Sequence, residues 1–237
     1  MCTLAVIIAR AGSKGLANKS IQLLRGRPLV TWTIEHALGS RRVDHVVLSS
    51  DCPKTLAEGD RLGIETYRRP QQRADDAATI DDAARHGVEC WEQRHGRACC
   101  YVAILYGNIP LRPTDLTDRA VAKLIETGAD SVQGVYPVGK MHPLWMRRLG
   151  GPGADELEMY EPNSIYRRQD LPPLYMLSGG ALVVTRSSLF EVDPDQPHAF
   201  LGADRRAIVH ASCEVVDVDE ALDLAFAEAL LSQARGG

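Results

Sequence analysis

Short apolar runs alternate along the chain with stretches of helical period. Leu4 to Ala9 is continuous, apolar and rich in β-branched residues, which predicts a buried strand. Pro28 to Ser40 carries a proline suited to the first helical position and apolar residues at helical spacing. Asp44 to Ser50 reads as a second strand, Pro53 to Leu62 as a polar helix and Ile64 to Arg69 as a third strand. After the polar loop QQRADDAA, a helix is predicted from about Thr79 to Arg94. Cys100 to Leu105 is the most continuous apolar run after the first and is expected to be the central strand, stopping at the turn Tyr106-Gly107-Asn108-Ile109-Pro110. A helix follows, capped by Thr114 or Asp115 and carrying Ala120, Val121, Leu124 and Ile125 on one face. Asp130 to Val138 alternates as a strand should, Gly180 to Val184 reads as another, and a last helix runs from about Glu220 to Gln233. Strand and helix alternating in this way predict an α/β fold built on a mostly parallel sheet.

The alternation breaks between Gly139 and Tyr175, where proline, glycine and arginine accumulate and regular runs are short. The expected organisation is therefore a main domain of residues 1–138 and 176–237 with an inserted arm, 139–175. Trp145, Met146, Tyr160, Tyr166 and Leu174 would expose apolar surface on that arm, so it is expected to pack against a second copy of the chain; a lid over its own domain is the alternative.

Composition narrows the function classes. The 237 residues are 45% hydrophobic and 24% charged with a net charge of −4, which gives no support for a nucleic-acid or membrane partner. No apolar run approaches the ~20 residues that cross a bilayer, and the N-terminal run lacks the basic flank of a signal peptide, so a cytoplasmic protein is expected. Six scattered cysteines show no metal-ligand or disulfide spacing.

The chemistry gathers at two places. Directly after the first strand, Ala9-Arg10-Ala11-Gly12-Ser13-Lys14-Gly15 and then Lys19-Ser20 combine glycines with cations. The N–H groups of such a turn form a concavity suited to anions, and three cations beside it would suit a polyphosphate. Only five lysines stand against twenty-two arginines in the chain, and two of the five are here. A basic surface turn after an edge strand is the plainer reading. At the other end, Asp217 and Asp219 fall on one face of an extended segment and would repel each other unless a cation lies between them. Asp219 could instead cap the helix that follows. Polyphosphate chemistry commonly recruits Mg²⁺ through one or two carboxylates, which favours the metal role.

Several motifs, in order and over nearly the whole chain, resemble the CMP-sialic acid synthetases (acylneuraminate cytidylyltransferases), relatives of the CMP-KDO synthetases. The opening turn resembles the family's ARxxSKGxxxK, Arg69-Pro70-Gln71-Gln72-Arg73-Ala74-Asp75-Asp76 its RPxxLAxD, and Ile109-Pro110-Leu111-Arg112 its SPLR. Met141-His142-Pro143 is similar to HHP, RRQDLPPxY stands intact from Arg167 to Tyr175, Gly179-Gly180-Ala181 approximates NGA, and Val216 to Asp219 resembles IDID.

The resemblance implies a Rossmann-like nucleotidyltransferase that joins CTP to an acidic sugar and releases pyrophosphate, working as a dimer whose arm reaches the partner's site. Carried over by position, Arg10 and Lys14 would hold phosphates, Lys19 the α-phosphate region, and Asp217 and Asp219 Mg²⁺. Ala9, Ala11, Gly12, Ser13 and Ser20 would line the nucleotide, and Arg69 would lie near cytosine. On the sugar side stand Tyr106, Asn108, Gly179 and Arg168, the last from the opposite subunit. The departures fall mostly there: LYGNIPLR replaces LQPTSPLR, Gly179 replaces an asparagine, and Met176 and Leu177 stand in the region of an arginine. Cytidylyl transfer is therefore better supported than sialic acid as acceptor. Another nucleotide, a KDO-type sugar, or a non-catalytic nucleotide-sugar-binding homologue are the competing readings.

Overall fold

The computed structural model describes residues 1–12, 15–73 and 79–233. Its elements run β1 (Thr3–Ala9), a small hairpin β2 (Leu23–Leu24) and β3 (Arg27–Pro28), α1 (Leu29–Gly39), β4 (His45–Ser50), α2 (Pro53–Arg61), β5 (Glu65–Arg68) and α3 (Ile80–His95). There follow β6 (Tyr101–Tyr106), α4 (Leu116–Thr127), β7 (Ser131–Pro137), β8 (Arg147–Gly150), β9 (Glu156–Met159), β10 (Tyr175–Thr185), α5 (Arg186–Leu189), β11 (Arg205–Val209) and α6 (Ala221–Gln233).

Seven strands pair in the order β11-β7-β10-β6-β1-β4-β5, so β6 is central, as its apolar run predicts. All pairs are parallel except those made by β10, which runs against both β6 and β7. Every residue of β1 is buried, because β4 and β6 flank it and helices cover both faces. Ala5 and Ile7 point toward α1 and α4, packing with Ile34, Ala120 and Leu124. Leu4 and Val6 point the other way, toward Val88 and Trp91 of α3. A period-two strand thus feeds two cores, and each fully buried leucine or isoleucine contributes ~1.5–3 kcal/mol.

Two local expectations are corrected, and one small element was not predicted. Asp115 stands at the N-terminus of α4 but makes no side-chain cap; its carboxylate lies 3.5 Å from Arg119 instead, one turn along. The hairpin at residues 23–28 escapes pattern reading because Arg25 adopts a left-handed φ of 51° before Gly26, where sequence rules look for asparagine, aspartate or glycine. Strand β10 begins at Tyr175, well before Gly180.

Between β7 and β10 no strand joins the main sheet. This stretch holds the hairpin β8–β9 and is tied together by His142, which is 2% exposed. Its Nε2–H donates to the carbonyl of Pro172 at 3.1 Å while Nδ1 accepts from the Leu144 amide at 3.2 Å. The histidine motif therefore fastens the start of the arm to its RRQDLPP end. Met146, Tyr160, Tyr166 and Leu174 are exposed as expected, but Trp145 is half-buried, its indole N–H donating to the Ile165 carbonyl. No helix among the described residues is long and apolar enough to cross a membrane.

Candidate active site

The strand order reverses at β1, whose neighbours β4 and β6 lead the chain in opposite directions across the sheet; ligands of open α/β sheets bind beyond the carboxyl ends of strands at such a point. The opening turn leaves β1 here. The Ala11 amide donates to Asp51 Oδ1 at 2.9 Å, so the residue ending the β4 run fixes the start of the turn. Arg69 lies beneath: Nη2 donates to the Ala9 carbonyl at 2.8 Å, while its buried Nε and Nη1 have no partner among the described residues. Burial lowers the Arg69 pKa, with Asp51 and Asp82 opposing and neighbouring Arg10 adding to the shift. Arg10 and Gly12 are exposed, and Ser20 is buried within the short 3-10 turn Lys19–Ile21. Ser13 and Lys14, like Ala74, Asp75 and Asp76 of the RPxxLAxD-like segment, lie outside the described residues.

The carboxylate pair reaches the same crevice from the far end of the chain. Val216 and Val218 are buried with Leu24, Leu29 and Ala227 of α6, which turns the alternating Asp217 and Asp219 outward together. Asp219 does not cap α6. That work falls to Asp223, whose Oδ2 accepts from the amides of Asp219 and Glu220 at 2.9 and 2.8 Å. Released from capping, Asp219 forms an ion pair with Lys19. Asp217 can be reached by solvent yet sits deep in the crevice, and its carboxyl is pushed up to about 6. Lost hydration is the main cause and the Asp219 charge the second, with Lys19 and Arg112 opposing.

Asn108 belongs with this pair. Its Nδ2 donates to Asp217 Oδ1, to the Val218 carbonyl at 3.2 Å and, more weakly, to Asp219 Oδ1 at 3.5 Å. The amide, assigned to the sugar side by resemblance, faces the carboxylates in this chain. Two buried groups hold the turn that presents it: Thr33 Oγ1 lies 3.0 Å from the carbonyls of Tyr106 and Ile109, and Arg112 Nη2 donates to the same oxygens at 3.3 and 2.7 Å. Burial lowers Arg112 to about 9, against the pull of Asp217. Asp51, Asp223, Thr33 and the role of Arg112 escaped sequence reading; only Asp51, directly after a buried run, carried a positional signal.

Beside Asp217 opens a cavity of about 500 Å³, walled by Tyr106, Tyr136, Leu177, Gly179 and Phe226. Sequence-predicted Tyr106 and Gly179 therefore meet, and they share the cavity with Asp217. Arg168 does not join them within this chain: it is exposed, and its guanidinium lies beside Gly139.

A sequence profile of the cytidylyltransferase family matches residues 4–173, from β1 through the RRQDLPP segment. The chain belongs to the cytidylyltransferase family. It is 28% identical to a CMP-N,N'-diacetyllegionaminic acid synthase of Legionella pneumophila, over 98% of this chain and 97% of that protein. It is equally 28% identical to a pseudaminic acid cytidylyltransferase of Campylobacter jejuni, over 97% and 96%. Among solved structures, a CMP-2-keto-3-deoxy-manno-octonic acid synthetase in complex with CTP superposes with a TM-score of 0.71 at 18% identity, covering 99% of this chain and all of that one. That likeness speaks for the fold of this cytidylyltransferase, a Rossmann-like nucleotidyltransferase sheet.

Proposed function

We propose that the chain transfers a cytidylyl group from CTP to a nonulosonic or related sugar acid, giving a CMP-sugar and pyrophosphate. The supporting observation is the meeting of the opening turn with the carboxylate pair: Lys19 pairs with Asp219 across 200 residues of sequence, and Asn108 ties Asp217 and Asp219 into one group. The full-length relatives named for legionaminic and pseudaminic acids support the acceptor class.

In this reading the acceptor hydroxyl attacks the α-phosphorus in line. A new P–O bond forms as the bond to the β-phosphate oxygen breaks, the hydroxyl loses its proton, and pyrophosphate leaves. Catalysis is then mostly positioning and charge neutralisation. Arg10, Lys14 and the turn through Gly12 and Ser13 take the phosphates, Lys19 meets the α-phosphate, and Ala9, Ala11 and Ser20 line the nucleotide. Arg69 would lie near the base, with two buried guanidinium nitrogens, Nε and Nη1, still without a partner among the described residues. Arg168 would serve the acceptor carboxylate of a partner subunit, a task suited to a planar fork, and the chain would work as a homodimer through 139–175. We place the reaction in the cytoplasm, where CTP is available.

The donor set at Asp217 and Asp219 fits Mg²⁺. Both ligands offer hard oxygens on one face, and lost hydration, with the Asp219 charge behind it, raises the Asp217 pKa, so a cation beside the pair would offset the cost of holding both charged. When bound there, the ion would supply charge neutralisation on the phosphate oxygens.

Pyrophosphate release from CTP and Mg²⁺ across a panel of sugar acids tests the reading, with Asp217→Asn as control. No release with any nucleotide or acceptor would point to a non-catalytic binding homologue. Release with UTP or ATP but not CTP would change the nucleotide. An Asp217→Asn protein of unchanged rate would remove that residue from the mechanism.

A further inference from the structure

Stretches distant in sequence meet at the turn after β6. Gly107 at its start lies against the end of β1: its amide donates to the Ile8 carbonyl at 3.0 Å, and a β-carbon there would lie 3.1 Å from Ala9 Cβ. One residue on, Asn108 meets the carboxylate loop. Its main-chain carbonyl accepts from the Val218 amide at 3.0 Å, and the Leu111 carbonyl accepts from the Val216 amide at 3.1 Å in an isolated antiparallel bridge. Main chain thus stitches residues 108–111 to residues 216–218. The half-buried Asn108 side chain stands at the joint between the strand that leads into the cations and the loop that carries Asp217 and Asp219.

What that side chain does follows from its donors. A primary amide has two N–H groups. Those of Asn108 go to Asp217 Oδ1 and to the Val218 carbonyl at 3.2 Å, with Asp219 Oδ1 at 3.5 Å at the limit of the same nitrogen's reach. Neither is left to donate to a sugar, and the cavity beside Asp217 is walled by residues other than Asn108. The other hydrogen bond to the pair comes from Lys19 and also falls on an Oδ1, that of Asp219. Both carboxylates are therefore held through Oδ1, and among the described residues neither Oδ2 takes part in a hydrogen bond. A cation needs those oxygens, and it needs the two carboxylates kept at one spacing although their charges repel. A neutral donor that reaches both supplies the spacing without adding a charge that would compete with the ion.

We propose that Asn108 is a positioning residue for the metal pair: its amide fixes Asp217 and Asp219 through their Oδ1 atoms and so raises the affinity of the site for a divalent cation. This rests on the cytidylyl-transfer reading above and deepens it, because Asn108 acts on the reaction only through the carboxylates. The signature is a changed metal requirement with acceptor binding left alone.

Asn108→Ala removes the amide and leaves the stitching, since both stitching bonds run between main-chain atoms. Mn²⁺ is titrated by electron paramagnetic resonance into the full-length protein with CTP and no acceptor, so that binding is read without turnover. Partners that orient metal ligands are typically worth 10- to 100-fold in affinity, and Asn108→Ala should weaken Mn²⁺ by roughly tenfold or more. Asp217→Asn, measured alongside, shows what loss of a ligand costs. Undiminished Mn²⁺ affinity in Asn108→Ala beside a clear loss in Asp217→Asn overturns the role of Asn108 and leaves the metal reading standing. No loss in Asp217→Asn, or no Mn²⁺ bound by wild type, ends the metal reading and this proposal with it. In steady state, the Mg²⁺ concentration for half-maximal pyrophosphate release should rise by the same factor, kcat should recover at saturating Mg²⁺, and KM for the sugar acid should not change. A raised KM for the sugar acid with an unchanged Mg²⁺ requirement makes Asn108 an acceptor contact and overturns the proposal. If Asn108→Ala does not fold, Asn108→Leu keeps the volume without the donors and carries the same expectations. Absence of pyrophosphate release with every acceptor removes the enzymatic reading, and the Mn²⁺ titration still decides whether Asn108 orders the pair.

Discussion

A β-carbon on Gly15 would lie 2.7 Å from the main-chain carbonyl oxygen of Asp219. The contact sets the spacing between the opening turn and the carboxylate loop, and the obstructing atom is backbone, so it cannot swing aside as a side chain would. Gly15→Ala must push the two loops apart. Gly15 is exposed and outside the core, so the melting temperature should change little. Displacing reacting groups by about 1 Å costs on the order of 10²-fold, and kcat/KM for CTP should fall by that order. Steady-state pyrophosphate release and a thermal melt on the same preparation check both halves.

Lys19 offers the complementary test, in which charge is removed with little disturbance of spacing. Asp219 in its ion pair is 64% exposed on its side chain, so the pair contributes less than about 1 kcal/mol to stability. A fixed cation aimed at a transition-state phosphate is worth far more, and loss of one such donor typically costs about 10² to 10³ in kcat. Lys19→Met should therefore melt close to wild type and lose kcat by that order, with CTP affinity reduced much less. A loss confined to affinity would make Lys19 a binding residue only.

Much of this site was legible because the relevant signals are local and periodic. The buried run before Arg10 predicts a strand that stops where the cations begin, and period-two alternation across Val216, Asp217, Val218 and Asp219 predicts two carboxylates turned the same way. What was hidden depends on contacts distant in sequence or on backbone states that residue identity does not announce. Asp219 looked able to cap α6, but it pairs with Lys19, and the amides that lead into the helix go to Asp223, which sequence reading passed over. The tie from Asn108 to Asp217 shows only once the chain end folds back beside it. Gly179 reads as a simple loss of an asparagine, and only Tyr106 and Ile109, some seventy positions earlier, explain how tightly its space is filled.

His36 gives the fold a pH dependence of its own. On α1, its Nε2 lies 2.8 Å from Thr117 Oγ1, and its pKa falls to about 3 through burial first and the Arg112 charge second, with Asp118 opposing. Above the ordinary histidine value of 6.5, folded and unfolded chains both hold it neutral and it has no effect. As the pH drops from there toward 3, the unfolded chain gains a proton that the folded chain refuses, and stability declines by up to about 1.4 kcal/mol per pH unit from this group. Urea unfolding between pH 7 and pH 4 should show the decline, and His36→Gln should flatten it. A slope unaltered by the substitution would assign acid sensitivity to other groups.

The hairpin β8–β9 carries the prediction about assembly. Leu149 and Leu157 are directly paired across its two strands, so their side chains share one face, yet they are 62% and 73% exposed. Tyr160 and Tyr166, 52% and 92% exposed, extend apolar surface along the same arm. A two-stranded hairpin is marginal in water by itself, and a facing leucine pair left bare is the kind of surface a second copy would cover. Reversing its character with Leu149→Lys and Leu157→Glu keeps the hairpin, since opposite charges placed across an antiparallel pair support it, and removes only what would attract a partner. Sedimentation should report a dimer for wild type and a monomer for the double variant. Because Arg168 stands beside Gly139 and away from the cavity of its own chain, monomerisation should also raise KM for the sugar acid while leaving CTP binding near normal. A wild-type monomer with full activity would turn the arm into a lid on its own domain.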